Sequence, residues 1–375
     1  MIVEAQYFTF GKDGDGLTLR SGKVLPEVTV CYESYGKLSA KKDNAILICH
    51  ALTGDAHAAG KHSADDKKPG WWDVLIGPGK ALDTDKYFIV CSNILGSCYG
   101  STGPESINPA TGEVYALDFP MITIADMVDA QKYLMDHLTI DKWLSVIGGS
   151  LGGMQALQWG VSYPDKMQSC MPIATTAHLS PQGIAFDWVG REAILHDPSF
   201  KEGQYSKEAL PEKGLSIARM LAHITYLSEE SMNRKFGRDL QEMDSYNFEF
   251  SHNFQVESYL KYQGTQFVNR FDANAYLYIT RAMDYFDLAA EGEGSLVKAI
   301  AKTEADFLIV SFTSDWLFPT SHSREIVKAF QECRKPVTFC EIESDCGHDA
   351  FLLEFETLGG MIENFLKSAE ESYHV

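Results

Sequence analysis

The 375-residue chain has no long apolar run: nothing in it approaches the roughly 18 apolar residues that a membrane-spanning helix requires. It is also short of positive charge. Against 52 Asp and Glu stand 32 Lys and Arg, a formal net charge of −20, which argues against a nucleic-acid partner because no global field attracts phosphate. Any anionic ligand must then be met by a local cluster of donors. The eight cysteines include no CxxC pair, and those in ILIC and FIVC lie in strand-like runs where Cys behaves as a small buried hydrophobe. A disulfide framework is therefore not expected, and a reducing, cytoplasmic setting is. The segment MIVEAQYFTFGKDG lacks a basic stretch followed by an apolar one, so no signal peptide is expected. Internal repeats and low-complexity tracts are absent.

What remains is an ordinary globular composition, 45% hydrophobic and 22% charged. Ala45–Cys49, Tyr87–Cys91, Leu144–Ile147, Gln168–Ile173 and Phe307–Phe312 are short, apolar and rich in β-branched residues, the pattern of strands buried on both faces of a parallel sheet. Val337–Ile342 reads as a further strand nearer the edge. Helical periodicity over Ile124–Leu138 and Met154–Val161 completes an α/β, doubly wound alternation. From about residue 176 to 297 the rhythm breaks into charged, helix-forming sequence. The expected organisation is a core over 1–175, a helical lid insertion over 176–297, and the second part of the core over 298–375.

Gly148-Gly149-Ser150-Leu151-Gly152 fits G-x-S-x-G, a strand turning sharply into a helix with a serine at the tip. Side chains two residues before and after that serine would collide, which is the physical reason for the glycines. A serine hydroxyl becomes a nucleophile only when a base takes its proton and donors stabilise the oxyanion. The backbone N–H of Leu151 is one expected donor, and that of Leu52, in the loop after the AILIC strand, is the second. Alone, the motif also fits a glycine-rich turn with no chemistry. Context narrows the choice. Asp315 follows the strand FLIVSF, and His348 sits in DCGHDAF after the strand VTFCEI, in the order serine, acid, histidine. His50 and His57 lie near the Leu52 loop in no metal-ligand spacing, so both are read as structural, and no metal ion or cofactor is expected.

The segments AILICHALTGDAHAAG, KPGWWDVLIGPGKALDTDKYFIVCSN, GSTGPESINPATG, GGSLGGMQALQW, GLSIARMLAHITYLS, ESYLKYQGTQFVNRFDANAYLY and GHDAFLLE resemble the homoserine O-acyltransferase family of the α/β-hydrolase superfamily, in its order and over nearly the whole chain. The resemblance implies an α/β-hydrolase fold, an enzyme that starts methionine synthesis, and a homodimer contacting through the helical lid. It implies Ser150 as nucleophile, Asp315 as acid and His348 as base, with Arg219 and Asp349 holding the amino acid. Arg219 offers a fork for a carboxylate, and Asp349 a counter-charge for an ammonium. Many succinyl-CoA users in the family carry arginine two residues after the catalytic Asp. Here that position is Leu317, which cannot pair with a carboxylate and favours acetyl-CoA as co-substrate. The rivals are a homoserine O-succinyltransferase, a serine O-acyltransferase, a plain esterase and a non-catalytic binding protein.

Overall fold

The run AILIC sends Ala45, Leu47 and Cys49 into one apolar cluster and Ile46 and Ile48 into another on the opposite face. A strand covered on both sides must be apolar at every position, which is why no alternation is visible in it. The structure, a computed structural model, describes residues 1–12, 14–206 and 208–373.

Eight strands make the central sheet: β1 (Gln6–Phe10), β2 (Val28–Tyr35), β3 (Ala45–Cys49), β4 (Phe88–Ser92), β5 (Trp143–Gly149), β6 (Met167–Ile173), β7 (Asp306–Phe312) and β8 (Thr338–Ile342). Their spatial order is β1-β2-β4-β3-β5-β6-β7-β8. Six strands, from β4 to β8, run parallel, while β2 is antiparallel to both β1 and β4. The antiparallel edge is not evident in the sequence pattern, because VTVCYESY buries polar Glu33 as well as its apolar residues.

Among the described residues, ten helices follow in chain order. They are α1 (Ile124–His137), α2 (Leu151–Ser162), α3 (Pro181–Leu195), α4 (Glu212–Tyr226), α5 (Glu229–Lys235), α6 (Gln255–Val268), α7 (Ala273–Asp284), α8 (Leu296–Ile300), α9 (Thr320–Glu332) and α10 (Phe355–Tyr373). Leu134 of α1, Met154 and Leu157 of α2, and Ile326 and Phe330 of α9 cover one face of the sheet. Leu358, Ile362 and Leu366 of α10, with Trp72 and Leu75, cover the other. None of the helices among the described residues is long and apolar enough to cross a membrane.

Buried polar side chains tie α1 and α2 together. Trp159 Nε1 donates to Gln131 Oε1 at 2.7 Å, Gln131 Nε2 donates to Gln155 Oε1 at 2.7 Å, and Gln155 Nε2 reaches the His50 carbonyl at 3.2 Å. Gln155 and Trp159 of MQALQW thus carry a relay that fixes α2 against the loop after β3, since a buried amide left unpaired would be costly. Helices α3 to α7 lie between β6 and β7 in the chain, with α4 packed against both α3 and α6. The short α8 packs on α9 and α2 instead, against the body of the sheet.

Candidate active site

Ser150 joins β5 to α2 with φ 60° and ψ −123°, a backbone that few side-chain-bearing residues adopt. A Cβ on Gly148 would lie 2.2 Å from the Gly152 carbonyl oxygen, and one on Gly152 would lie 2.0 Å from the Cys49 carbonyl oxygen. Such separations are far inside van der Waals contact, so both positions require glycine. The turn is pinned from outside: Ser150 N–H donates to the Ile173 carbonyl at 2.9 Å, and the Thr175 hydroxyl donates to the Ser150 carbonyl at 2.8 Å.

His348 Nε2 is 2.8 Å from Ser150 Oγ, and His348 Nδ1 is 2.7 Å from Asp315 Oδ2. A carboxylate only accepts, so Nδ1 carries the hydrogen and Nε2 presents its lone pair to the serine hydroxyl. The other Asp315 oxygen accepts the N–H groups of Leu317 (3.0 Å) and Phe318 (2.9 Å), which leaves the carboxylate no rotational freedom. All three side chains are buried, and His348 stands edge-on to Phe318 and Phe351. Burial works against the imidazolium. The Asp315 carboxylate outweighs it by attraction and hydrogen bonding, with Asp349 adding, and the His348 pKa ends above its ordinary value.

Leu151 opens α2 and Leu52 lines the same small cavity as Ser150. Neither backbone N–H donates to a carbonyl among the described residues, so neither is committed to another partner. Arg219 projects from α4, lying over Phe267 (4.7 Å) and Tyr226 (5.6 Å), with Nη1 3.2 Å from the Thr53 hydroxyl. Its Nε is buried without a hydrogen-bond partner among the described residues. Asp349 is adjacent to His348 in the chain. Burial raises its pKa, against the pull of His348, Arg219 and Lys235. Arg219 and Asp349 sense each other's charge and form no ion pair. A cation and a carboxyl are thus held apart, the carboxyl next in the chain to His348, an arrangement that suits a zwitterion.

A cavity of about 40 Å³ adjoins Ser150, walled by Leu52, Phe186, Asp187, Tyr226, Leu317 and Phe318 among others. Burial, and then Arg219, Arg270 and Lys235 together, push the His223 imidazole down to about 3. An acidic protein therefore gathers three cations around His223 of α4.

His50 and His57 stand away from the proton path. His50 is buried, accepts the Ile94 N–H on Nε2 at 3.2 Å and has Nδ1 2.8 Å from the Ala51 carbonyl, a neutral tautomer that shapes the loop. His57 Nδ1 and His62 Nε2 sit on the two oxygens of buried Glu33, at 2.9 and 2.6 Å, beside the Tyr35 hydroxyl. This Glu33–His57–His62 group is the one metal-capable cluster among the described residues, and its spacings are those of hydrogen bonds. Asp187, Phe186 and Tyr226 are not evident in the sequence, since each occupies an unremarkable helix position and lines the cavity with Ser150 only in three dimensions; nor is Thr53, which meets Arg219 from the loop after β3.

The chain matches the model of the alpha/beta hydrolase fold over residues 44–355. It is 57% identical to a homoserine O-acetyltransferase of Methanohalobium evestigatum, over 97% of this chain and 73% of the relative. To a homoserine O-succinyltransferase of Acidithiobacillus ferrooxidans it is 51% identical, over 99% and 96%. The chain belongs to the homoserine O-acyltransferase family. Among solved structures, the homoserine O-acetyltransferase from Bacillus anthracis superposes with a TM-score of 0.91 at 32% identity, covering 98% of each chain. Esterase E22 superposes with 0.89 at 31% identity, covering 97% of this chain and 100% of its own. Within the homoserine O-acyltransferase family the scaffold is thus shared by enzymes that differ in acyl donor, and outside it by one named for hydrolysis. The choice among them rests on the lining of the site.

Proposed function

We propose that this acyltransferase moves an acetyl group from acetyl-CoA to the hydroxyl of L-homoserine, releasing CoA and O-acetyl-L-homoserine in methionine biosynthesis. The observation that carries the donor assignment is the cavity at Ser150. Its lining brings no Lys or Arg to the acyl group, so the distal carboxylate of a succinyl chain would find no partner there, whereas an acetyl methyl needs none. Leu317 lines this cavity and offers no charge to a distal carboxylate.

His348, oriented by Asp315, takes the proton of Ser150 as its oxygen attacks the thioester carbon. The N–H groups of Leu52 and Leu151 receive the oxyanion, and CoA leaves as the thiol, protonated by His348. L-Homoserine then occupies the same site, its carboxylate on the Arg219 fork and its ammonium beside Asp349. His348 removes the proton from its hydroxyl, which attacks the acetyl carbon, and returns that proton to Ser150 Oγ as the ester bond to the serine breaks. Water is the competitor at about 55 M. Positioning the hydroxyl beside the acyl carbon is worth an effective concentration of about 10⁵ M or more, and the helices between β6 and β7 keep the serine enclosed. Arg270 and Lys235 supply positive charge for the phosphates of CoA in an otherwise acidic protein.

A cytoplasmic homodimer, contacting through the helical insertion, completes this reading, and exposed Ile217 and Tyr262 on α4 and α6 support such a contact. Rates of thiol release from acetyl-CoA and succinyl-CoA, each with and without L-homoserine or L-serine, test the assignment. Homoserine-dependent release from acetyl-CoA is expected. Equal release without any amino acid points to the esterase reading instead.

A further inference from the structure

Glu33 of β2 is a buried carboxylate, 1% exposed, and among the described residues no Lys or Arg pairs with it. Its two oxygens meet two imidazoles from the loop after β3: Oε2 is 2.9 Å from His57 Nδ1, and Oε1 is 2.6 Å from His62 Nε2. A buried anion calls for a cation, and an imidazole is one only while protonated. Other bonds hold the three residues in place. The Tyr35 hydroxyl donates to Glu33 Oε2 at 2.8 Å, the His57 backbone N–H to Asp55 Oδ1 at 2.9 Å, and the His62 backbone N–H to Asp66 Oδ2 at 2.9 Å. No metal-binding motif announces this group, because one member comes from a strand and two from a loop.

We propose that Glu33, His57 and His62 bind a divalent transition-metal ion, with Zn²⁺ the best match to the donor set, as a brace between β2 and the loop after β3. Two imidazole nitrogens and a carboxylate are ligands that zinc accepts, with water completing a tetrahedron. Ligands at about 2.0–2.2 Å from a tetrahedral zinc stand about 3.3 Å from one another. One ligand atom from each of the three residues already lies within 4.8 Å of the others. Hydrogen now occupies the space between each ring and the carboxylate. On binding it leaves His57 Nδ1 and His62 Nε2, for the other ring nitrogen or for solvent. The His62 side chain is half exposed, which gives the ion an entry path and the ring room to adjust. Tyr35 supplies the outer hydrogen bond that orients a ligating carboxylate. The braced loop also carries Leu52 and Thr53. Ser150, Asp315 and His348 form no bond to the three ligands among the described residues, so the ion holds structure and takes no part in acyl transfer.

The test is titration of the full-length, chelator-treated protein with Zn²⁺, and separately with Co²⁺ as a coloured substitute. One Zn²⁺ per chain is expected, with a rise in melting temperature that a chelator reverses, since an ion that binds only the folded state stabilises it. Bound Co²⁺ should give the visible absorption of a four-coordinate site without a thiolate charge-transfer band, which separates this group from the free cysteines. His62→Ala, at a half-exposed side chain, should weaken Zn²⁺ binding by about tenfold or more and remove most of the melting shift. His57→Ala is the second variant, and the same outcome is required of it should His62→Ala fail to fold. A melting temperature indifferent to Zn²⁺, a thiolate band, or an affinity unchanged in the folded variants would overturn the proposal.

Discussion

Gly148 and Gly152 touch across the serine turn so closely that neither can carry a side chain: the clashes would be with the carbonyl oxygens of Gly152 and Cys49, at 2.2 and 2.0 Å. Both obstacles are backbone, so no rotamer change relieves them. Gly148→Ala and Gly152→Ala are expected to lower the melting temperature by several degrees, a loss of about 1–3 kcal/mol, by displacing the turn. Turnover should fall by about 100-fold or more, as in other catalytic sites misplaced by about 1 Å. Differential scanning calorimetry beside a thiol-release assay reads both effects.

The His348 pKa lies above its ordinary value, and Asp315 is what holds it there. The base acts only when neutral, so kcat/KM should rise with pH through an apparent pKa above 6.5 and level off beyond it. Asp315→Asn removes the attraction and leaves burial, so its limb should move to lower pH. It should also lower kcat by about 10³- to 10⁴-fold, the scale of losing the correct imidazole tautomer. A pH–rate profile of both proteins decides this, and a limb that stays in place would detach Asp315 from His348.

Arg219 lies over Phe267, 4.7 Å from the ring centre, and its buried Nε has no hydrogen-bond partner among the described residues. Arg219→Ala is expected to raise the KM for L-homoserine about 10- to 100-fold, the scale of lost hydrogen bonds to a charged group. Arg219→Lys should recover only part, because an ammonium lacks the fork. Saturation curves in homoserine at fixed acetyl-CoA measure it. A change confined to acetyl-CoA would move Arg219 to the donor side of the site.

Much of this was legible in the chain because its signals are local. AILIC and FLIVSF announce buried parallel strands, and the glycines flanking Ser150 announce a turn whose two steric conflicts are visible in the structure. The antiparallel β1–β2 edge was not, since Glu33 and Tyr35 are buried there by a private network with His57 and His62 that no periodicity reveals. Asp187 was not either. In SPQGIAFDWVGR it looks like any solvated helix acid, and only the packing of α3 over the serine turns it toward the acyl cavity. Long-range packing, which sequence periodicity does not encode, decides such positions.

Leu317 lines the cavity that adjoins Ser150. Leu317→Arg is expected to raise the succinyl-to-acetyl ratio of kcat/KM by supplying a cation for the distal carboxylate. Parallel assays of both proteins with both donors measure the shift, and an unchanged ratio would remove Leu317 from donor choice.

The most direct measurement is the mass of the intact protein after mixing with acetyl-CoA alone, followed by a chase with L-homoserine. An acetyl-serine enzyme predicts a gain of about 42 Da confined to Ser150, discharged by homoserine into O-acetyl-L-homoserine. A protein that acquires no adduct, or whose adduct discharges to acetate equally fast with and without homoserine, would contradict it.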